Sequence, residues 1–558
     1  FAEQRALLLW APSDATSGTF TALDLRRGDG FGPNRAHQSV AALARYARAS
    51  GPLHYAVLVG SHAQAYDSAG VIRDDTYRAR QLPCDRDDTS QFYCAQDPQQ
   101  GGSGYRHLLN GKLSWARPAR RYELQAYGML RGVRMRENFT GALLDARGDG
   151  LDENYSVTTL GMLSSYTLTP TLFRRKQRLE IGLEARHDNG TTRMWRVRQD
   201  SSIPYATVFD RALALTHVAG YVGAEFSPLR QLSLRGGARV DSFAFHTENQ
   251  AAAESDRVGP RLPSDMRDAW GSALSPRGSL VLHAAEGLDW TLSAGQGVRS
   301  SDAEALSDGE QAPFARVLSL ETGPSWDRSL PFARLETRAF AFATRVSQDL
   351  LFDPARGRNV PVGPSNRFGA ALSARLRVGA AHDTLASFTW ADARTIARST
   401  SIFAFGSGSA LPYVPRTVLR VDHASQGELP VWGERLQLGA AGGFSWVGPR
   451  PLPLGVAGYA TAQLDLSVRA RVRWAELSLS LENLFDARNR VIELYYASNF
   501  NENAGGAVSM RPVRHFAAGT PRTFWLTLTI HLDDLELTVA SARTSSKCLS
   551  SRVRNSAA

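Results

Sequence analysis

Residues 460–473, ATAQLDLSVRARVR, alternate without a break. Ala460, Ala462, Leu464, Leu466, Val468, Ala470 and Val472 take one face; Thr461, Gln463, Asp465, Ser467, Arg469, Arg471 and Arg473 take the other. Side chains of a strand point to opposite faces in turn, so a period of two over fourteen residues predicts one two-faced strand. Strands of soluble proteins average about five or six residues. At about 3.3 Å per residue this one spans roughly 46 Å. The apolar band of an outer-membrane barrel is about 25 Å tall, so a strand tilted by about 45° needs roughly 35 Å to cross it.

The pattern recurs. Ala475, Leu477, Leu479 and Leu481 oppose Glu476, Ser478, Ser480 and Glu482. Phe524, Leu526, Leu528, Ile530 and Leu532 oppose Thr523, Trp525, Thr527, Thr529 and His531. Phe368, Ala370, Leu372, Ala374, Leu376 and Val378 oppose Arg367, Ser373, Arg375 and Arg377. Tight turns at 49–52, 227–231, 285–287 and 379–383 alternate with long Gly-, Asp- and Ser-rich connections at 67–103, 190–213, 247–273, 395–413 and 488–519. Short turns on one side and long loops on the other distinguish a transmembrane barrel from a sandwich, and no repeat of propeller length occurs. The fold class expected is all-β: one large antiparallel transmembrane β-barrel. Strands read from 5–11 to 523–532 number 21. Bacterial single-chain barrels have an even number, so one further strand, the first of a probable 22, is expected.

Composition removes other classes. No apolar run approaches the roughly 18 residues of a membrane helix. The net charge is +10, and of the 64 basic residues only Lys112, Lys176 and Lys547 are lysine. Arginine is spread along the whole chain rather than clustered, which argues against nucleic acid as a partner. The twelve histidines show no ligand spacing, and no catalytic set, cofactor motif or CxxC pair is present. Cys84 and Cys94 could close a small loop disulfide or stay as two thiols. The GDGFG stretch at 28–32 and the RGDG stretches at 27–30 and 147–150 read as turns.

Motifs then carry a resemblance. LSLENLFDARNR (479–490) ends a strand in Asn483, Leu484, Phe485 and Asp486, and GTPRTFWLTLTIHL (519–532) supplies Pro521, Arg522 and Phe524. Ser275-Pro276-Arg277 opens a hairpin, 297–300 reads GVRS, and LPYVPRTVLRV (411–421) brings a pair of prolines into the next strand. In this order, over roughly 270–532, the sequence resembles TonB-dependent outer-membrane receptors. The resemblance implies a bacterial outer-membrane location and uptake, energised by the TonB complex, of a scarce bulky nutrient, commonly a ferric siderophore. It implies lipid and lipopolysaccharide as surroundings, and contact with TonB only through an amino-terminal region. The family's plug domain has no counterpart before residue 5, no signal peptide is visible, and the chain does not open on Met. The division expected is therefore a barrel over 1–532, without plug or first strand, and a disordered polar tail over 533–558. Rival readings are a passive porin or adhesin, a non-functional receptor fragment, and a soluble β-rich hydrolase.

Candidate site residues follow from chemistry. Arginines beside aromatics suit a bulky anionic chelate. Arg193, Trp195, Arg196 and Arg198 in one loop, and Tyr495, Tyr496, Phe500, His515 and Phe516 in the last, are the ligand candidates. Arg375, Arg377, Arg469 and Arg471 are expected on the inner wall near the periplasmic end, facing a plug. Asp145, Asp149, Asp152 and Glu153 are the best small-ion candidate, for calcium, but their spacing is not that of an EF-hand and a solvated acidic loop is the preferred reading. Asn483–Asp486 read as strand-terminating turn chemistry.

Overall fold

The computed structural model describes residues 2–12, 18–172, 174–199, 201–251, 266–300, 314–396, 408–500 and 509–531. The expected tail at 533–558 and parts of four expected loops lie outside them. One antiparallel sheet of 21 strands runs through the chain, each strand paired with its sequence neighbours. All the expected strands are present, several longer than their alternation indicated. Arg178–Val197 has 20 residues and Pro204–Leu229 has 26. The stretch read as a loop at 190–213 is therefore mostly the upper end of this pair, which stays hydrogen-bonded well beyond the apolar band. Backbone pairing continues straight through the Asn189-Gly190 turn signal, as far as Val197 opposite Pro204.

Turns at one end are short: Gly51–Pro52, Glu286–Gly287, Trp432–Gly433 and Arg473–Trp474 are two-residue links. Most connections at the other end are longer, although residues 354–357 join Ala333–Asp353 to Arg358–Val378 there in a four-residue turn. By the loop rule the short end is periplasmic. Trp115, Trp290, Trp326, Trp432 and Trp474 all sit within a few residues of these turns, where an interfacial aromatic girdle belongs.

Period-two patterning then places the apolar faces outward. Val468 lies opposite Leu479, and Leu479 opposite Leu526; the three are exposed, Leu526 by 72%. A face of exposed Leu, Val and Ile repeated around the sheet is unfavourable in water and favourable in lipid. No helix is long and apolar enough to cross a membrane, so the crossing elements are strands.

Pro276 has a structural reason. Pairing between Met266–Ala285 and Leu288–Ser300 covers Arg277↔Gly295 down to the turn and stops there. The next residue upward lacks an N–H to continue the ladder. Above it the upper part of Leu288–Ser300 pairs only with Phe314–Ser329, and Val298 and Phe314 pack on Phe243 and Phe245.

The two edge strands are Gln4–Trp10 and Thr523–Ile530, each with one partner among the described residues. Both run toward the short-turn end, so they cannot pair antiparallel with each other.

Candidate functional site: the inner wall and the outer cap

The inner wall carries the polar faces. Near the periplasmic end Arg375 donates to Asp383 at 2.9 Å, Arg377 lies 3.4 Å from Glu336, and Arg334 lies 3.2 Å from the same carboxylate. Arg420 donates to Asp422 at 2.9 Å. These residues share strand faces with Ser467, Ser478 and Ser480, opposite the lipid-facing leucines. Arg375, Arg377, Arg469 and Arg471 thus stand on the inner wall near its lower end, but the first two are already matched by acids of neighbouring strands. Arg469 donates weakly to Gln426, at 3.5 Å, and Arg471 to the Arg473 carbonyl, at 3.4 Å. Asp465 and Glu482 line a concavity of about 720 Å³ beside them.

A second concavity, of about 670 Å³, is floored by Gly223, Ser279, Ser293 and Ser319 and flanked by Tyr221 and Arg277. Arg277, from the hairpin motif, has no ion-pair partner among the described residues.

The outer end is a packed cap. The 68–100 connection contributes two short helices, Asp74–Arg78 and Asp88–Phe92, and Ile72–Arg73, which adds an edge to a sheet formed by Arg490–Tyr496 and Val513–Ala518 of the last connection. Ile72, Leu82, Phe92, Tyr93, Cys94 and Phe516 form its apolar core. Arg490 donates to Asp74 at 2.7 Å, with its guanidinium 4.2 Å from the Phe516 ring. Glu493, fully buried, accepts the Tyr459 N–H at 2.6 Å, with Arg490 and Arg514 within 3.8 Å. Burial pushes its carboxyl above the usual range despite these arginines. Tyr496 stacks on His515 at 3.9 Å between ring centres, and Ser498 Oγ lies 2.7 Å from His515 Nε2. Desolvation, with Arg73 nearby, holds His515 neutral down to a pKa of about 3.

Comparison with known proteins settles the family. The sequence profile described as "TonB dependent receptor-like, beta-barrel" matches residues 21–484. The chain belongs to that family. As a TonB-dependent receptor barrel it is an outer-membrane protein of a receptor and transporter family, not an enzyme family. No curated protein sequence matches it. Among solved structures it is similar to the ferric yersiniabactin uptake receptor FyuA of Yersinia pestis, at 14% identity over 95% of this chain and 77% of the other, with a TM-score of 0.71. It is similar to the siderophore receptor PiuA of Acinetobacter baumannii at 13% identity, covering 95% and 79%, with a TM-score of 0.71. The ferric-catecholate import receptor Fiu of E. coli K12 follows at 15%, 95% and 80%, with 0.68. At these identities the likeness establishes the fold.

The receptor barrel places the remaining candidates in different surroundings. Arg193 pairs with Asp210 at 2.9 Å on the strand face it shares with the outward Ile181 and Leu183, and Trp195 lies on that face too. Arg196 is spent on the buried Asp149 at 3.0 Å. Arg198 is exposed. Tyr496, His515 and Phe516 are interior to the cap, whereas Tyr495 and Phe500 are half-buried. The acidic loop does not converge on a cation. Asp149 takes the N–H groups of Leu143, Leu144 and Asp145, Asp152 takes Arg134 and Arg136, and Asp145 takes Arg147, which holds its pKa at about 2. Among the described residues no three acidic, His or Cys side chains could hold a metal ion. These carboxylate oxygens already accept from local N–H groups and arginines.

Asn483 answers what the strand-ending motif does. Its backbone is left-handed, with φ +51°, a conformation asparagine tolerates. Its side chain donates to the carbonyls of Ala487 and Thr520, each at 2.9 Å, and accepts the Ala487 N–H at 2.9 Å. Asp486 accepts the Arg522 N–H at 2.9 Å, leaving Phe485 74% exposed. Sequence spacing did not reveal Asp74, Glu493 or Arg490: the first lies more than 400 residues from its partner, and periodicity carries no such information.

Proposed function

We propose that this barrel is the outer shell of an importer for a bulky metal chelate, a ferric siderophore before other cargoes, driven through TonB. The observation that carries the reading is a wide, charge-lined barrel of this family, and wide barrels of about 22 strands are transporters with a filled lumen. The names of the structural neighbours, a ferric yersiniabactin uptake receptor and a siderophore receptor among them, support the cargo class. The reading calls for a plug domain inside the wall and one ascending strand between Gln4–Trp10 and Thr523–Ile530; neither is found among the described residues. On the wall Asp465 and Glu482 offer the plug acids, and Arg469 and Arg471 offer it bases. Arg198, Tyr495 and Phe500 remain the ligand candidates accessible from outside.

The test is uptake of iron-labelled chelates by cells carrying the whole gene, with and without TonB or a protonophore. Accumulation that stops without TonB supports the reading. A conductance or surface binding indifferent to TonB would establish the passive porin or adhesin instead. Sequencing the DNA upstream of the Phe1 codon decides whether a plug is encoded.

A further inference from the structure

Cys84 and Cys94, ten positions apart, are joined by a disulfide. The segment it closes contains the helix Asp88–Phe92, capped by Asp87, which accepts the N–H groups of Thr89 and Ser90. Gln91, fully buried, ties the helix to the rest of the segment: its Oε1 accepts the Leu82 N–H at 3.0 Å and its Nε2 donates to the carbonyls of Cys84 and Asp85 at 3.0 Å. One face of this small body grips the last connection. Asp88 pairs with Arg488, and Arg488 also donates to Thr89 Oγ1 at 3.1 Å. Phe92 stacks on Phe516 with ring centres 5.2 Å apart. Arg488 follows Asp486 by two residues, and Asp486 holds the N–H that opens the final barrel strand.

We propose that the Cys84–Cys94 bond is a redox-sensitive clamp on the root of the last extracellular connection. With the bond intact, the segment can present Asp88, Thr89 and Phe92 together, because its ends are held side by side. A dithiol reductant transfers two electrons to the bond; the S–S bond breaks, both sulfurs leave as thiols, and the reductant closes to its own disulfide. The five-residue helix is too short to persist on its own. Its loss frees Arg488 and uncovers Phe516, so the hairpin Arg490–Tyr496/Val513–Ala518 loosens while the membrane wall stays intact. The outer surface is an oxidising setting in which such a bond persists. Cys94 is buried and Cys84 half-buried, so a small thiol reaches the pair from the Cys84 side.

The experiment uses the folded full chain with Cys548→Ser, in outer-membrane vesicles, treated with an arginine-specific protease with and without a membrane-permeant dithiol. Fragments are assigned by mass spectrometry. Cleavage after Arg488 and after the half-buried Arg490 is expected to rise by about tenfold on reduction, as local opening governs access, while cleavage at Arg230 in a periplasmic turn is unchanged. Arg488→Gln is expected to give fast cleavage at Arg490 without reductant and no further rise with it. Equal rates at Arg488 and Arg490 in oxidised and reduced protein would overturn the proposal, as would a reductant effect undiminished by Arg488→Gln. Reduction of the folded protein needs no cysteine variant at 84 or 94, so a folding failure cannot mask either result.

Discussion

The side-chain amide of Asn483 donates to the carbonyl of Thr520 at 2.9 Å, closing a gap of 37 residues at the root of the last connection. The same residue carries a left-handed backbone and is fully buried. Asn483→Ala combines left-handed strain of about 1 kcal/mol with buried groups left unpaired, at roughly 1–3 kcal/mol each. Asn483→Gly removes the strain but not the lost bonds. The temperature at which the barrel loses its heat-modifiable migration on gels should therefore fall in the order wild type, Asn483→Gly, Asn483→Ala. Equal temperatures for all three would show that the motif is not a clamp.

Arg490 stands between Asp74 and the Phe516 ring and helps to offset the buried Glu493. Arg490→Met leaves two buried acids short of a cation, a change worth about 3–5 kcal/mol for a broken buried pair. Hydrogen exchange in 490–496 and 513–518 should accelerate sharply. Adding Glu493→Gln should recover part of the protection, because it removes one of the stranded charges.

His515 makes the cap sensitive to acid. An exposed histidine takes its proton near pH 6.5, but in the cap the pKa is about 3, because burial and Arg73 disfavour the cation. From about pH 6.5 downward the opened connection binds a proton that the closed one refuses, costing up to about 1.4 kcal/mol per pH unit until the folded value is reached. Glu493 works in the opposite sense, since its raised pKa makes protonation favour the closed cap. Proteolysis of the last connection between pH 7 and pH 4 should rise for wild type and less for His515→Phe, which keeps a ring against Tyr496. An identical pH profile for the two would rule His515 out as the acid-sensitive group.

Leu479 and Ser478 are neighbours with opposite fates. Leu479 faces lipid between Val468 and Leu526; Ser478 faces the lumen. Leu479→Arg should cost about 2–4 kcal/mol if it lies near the bilayer midplane, whereas Ser478→Arg should be nearly neutral. Urea titration of the barrel in phospholipid bilayers measures both. Loss at Ser478 equal to that at Leu479 would mean the faces are reversed.

Asp149 accepts three N–H groups of its own connection, from Leu143, Leu144 and Asp145. Chelation should leave protection of 140–149 unchanged, and Asp149→Ala should abolish it. Hydrogen exchange with and without EDTA distinguishes the two, and a chelator effect would restore calcium as the organiser.

The alternation in 460–473, 475–482 and 523–532 was enough to determine strands and their two faces, while the motifs around Asn483–Asp486 and Pro521–Phe524 carried the resemblance to the family. Strand periodicity is local: each residue's face follows from its neighbours, and lipid on one side with water on the other writes that face directly into residue type. The same reasoning placed Asn483–Asp486 at a strand end. The cap was not legible in this way. Its contacts join Asp74 to Arg490, Asp88 to Arg488 and Arg73 to Ser498, residues hundreds of positions apart in connections with no period. Tyr496, His515 and Phe516 read as ligand chemistry because Arg and aromatic residues look alike in a binding loop and in a loop core. Only the folding of one connection onto another decided which they were, because burial of those rings depends on what the distant chain brings to cover them.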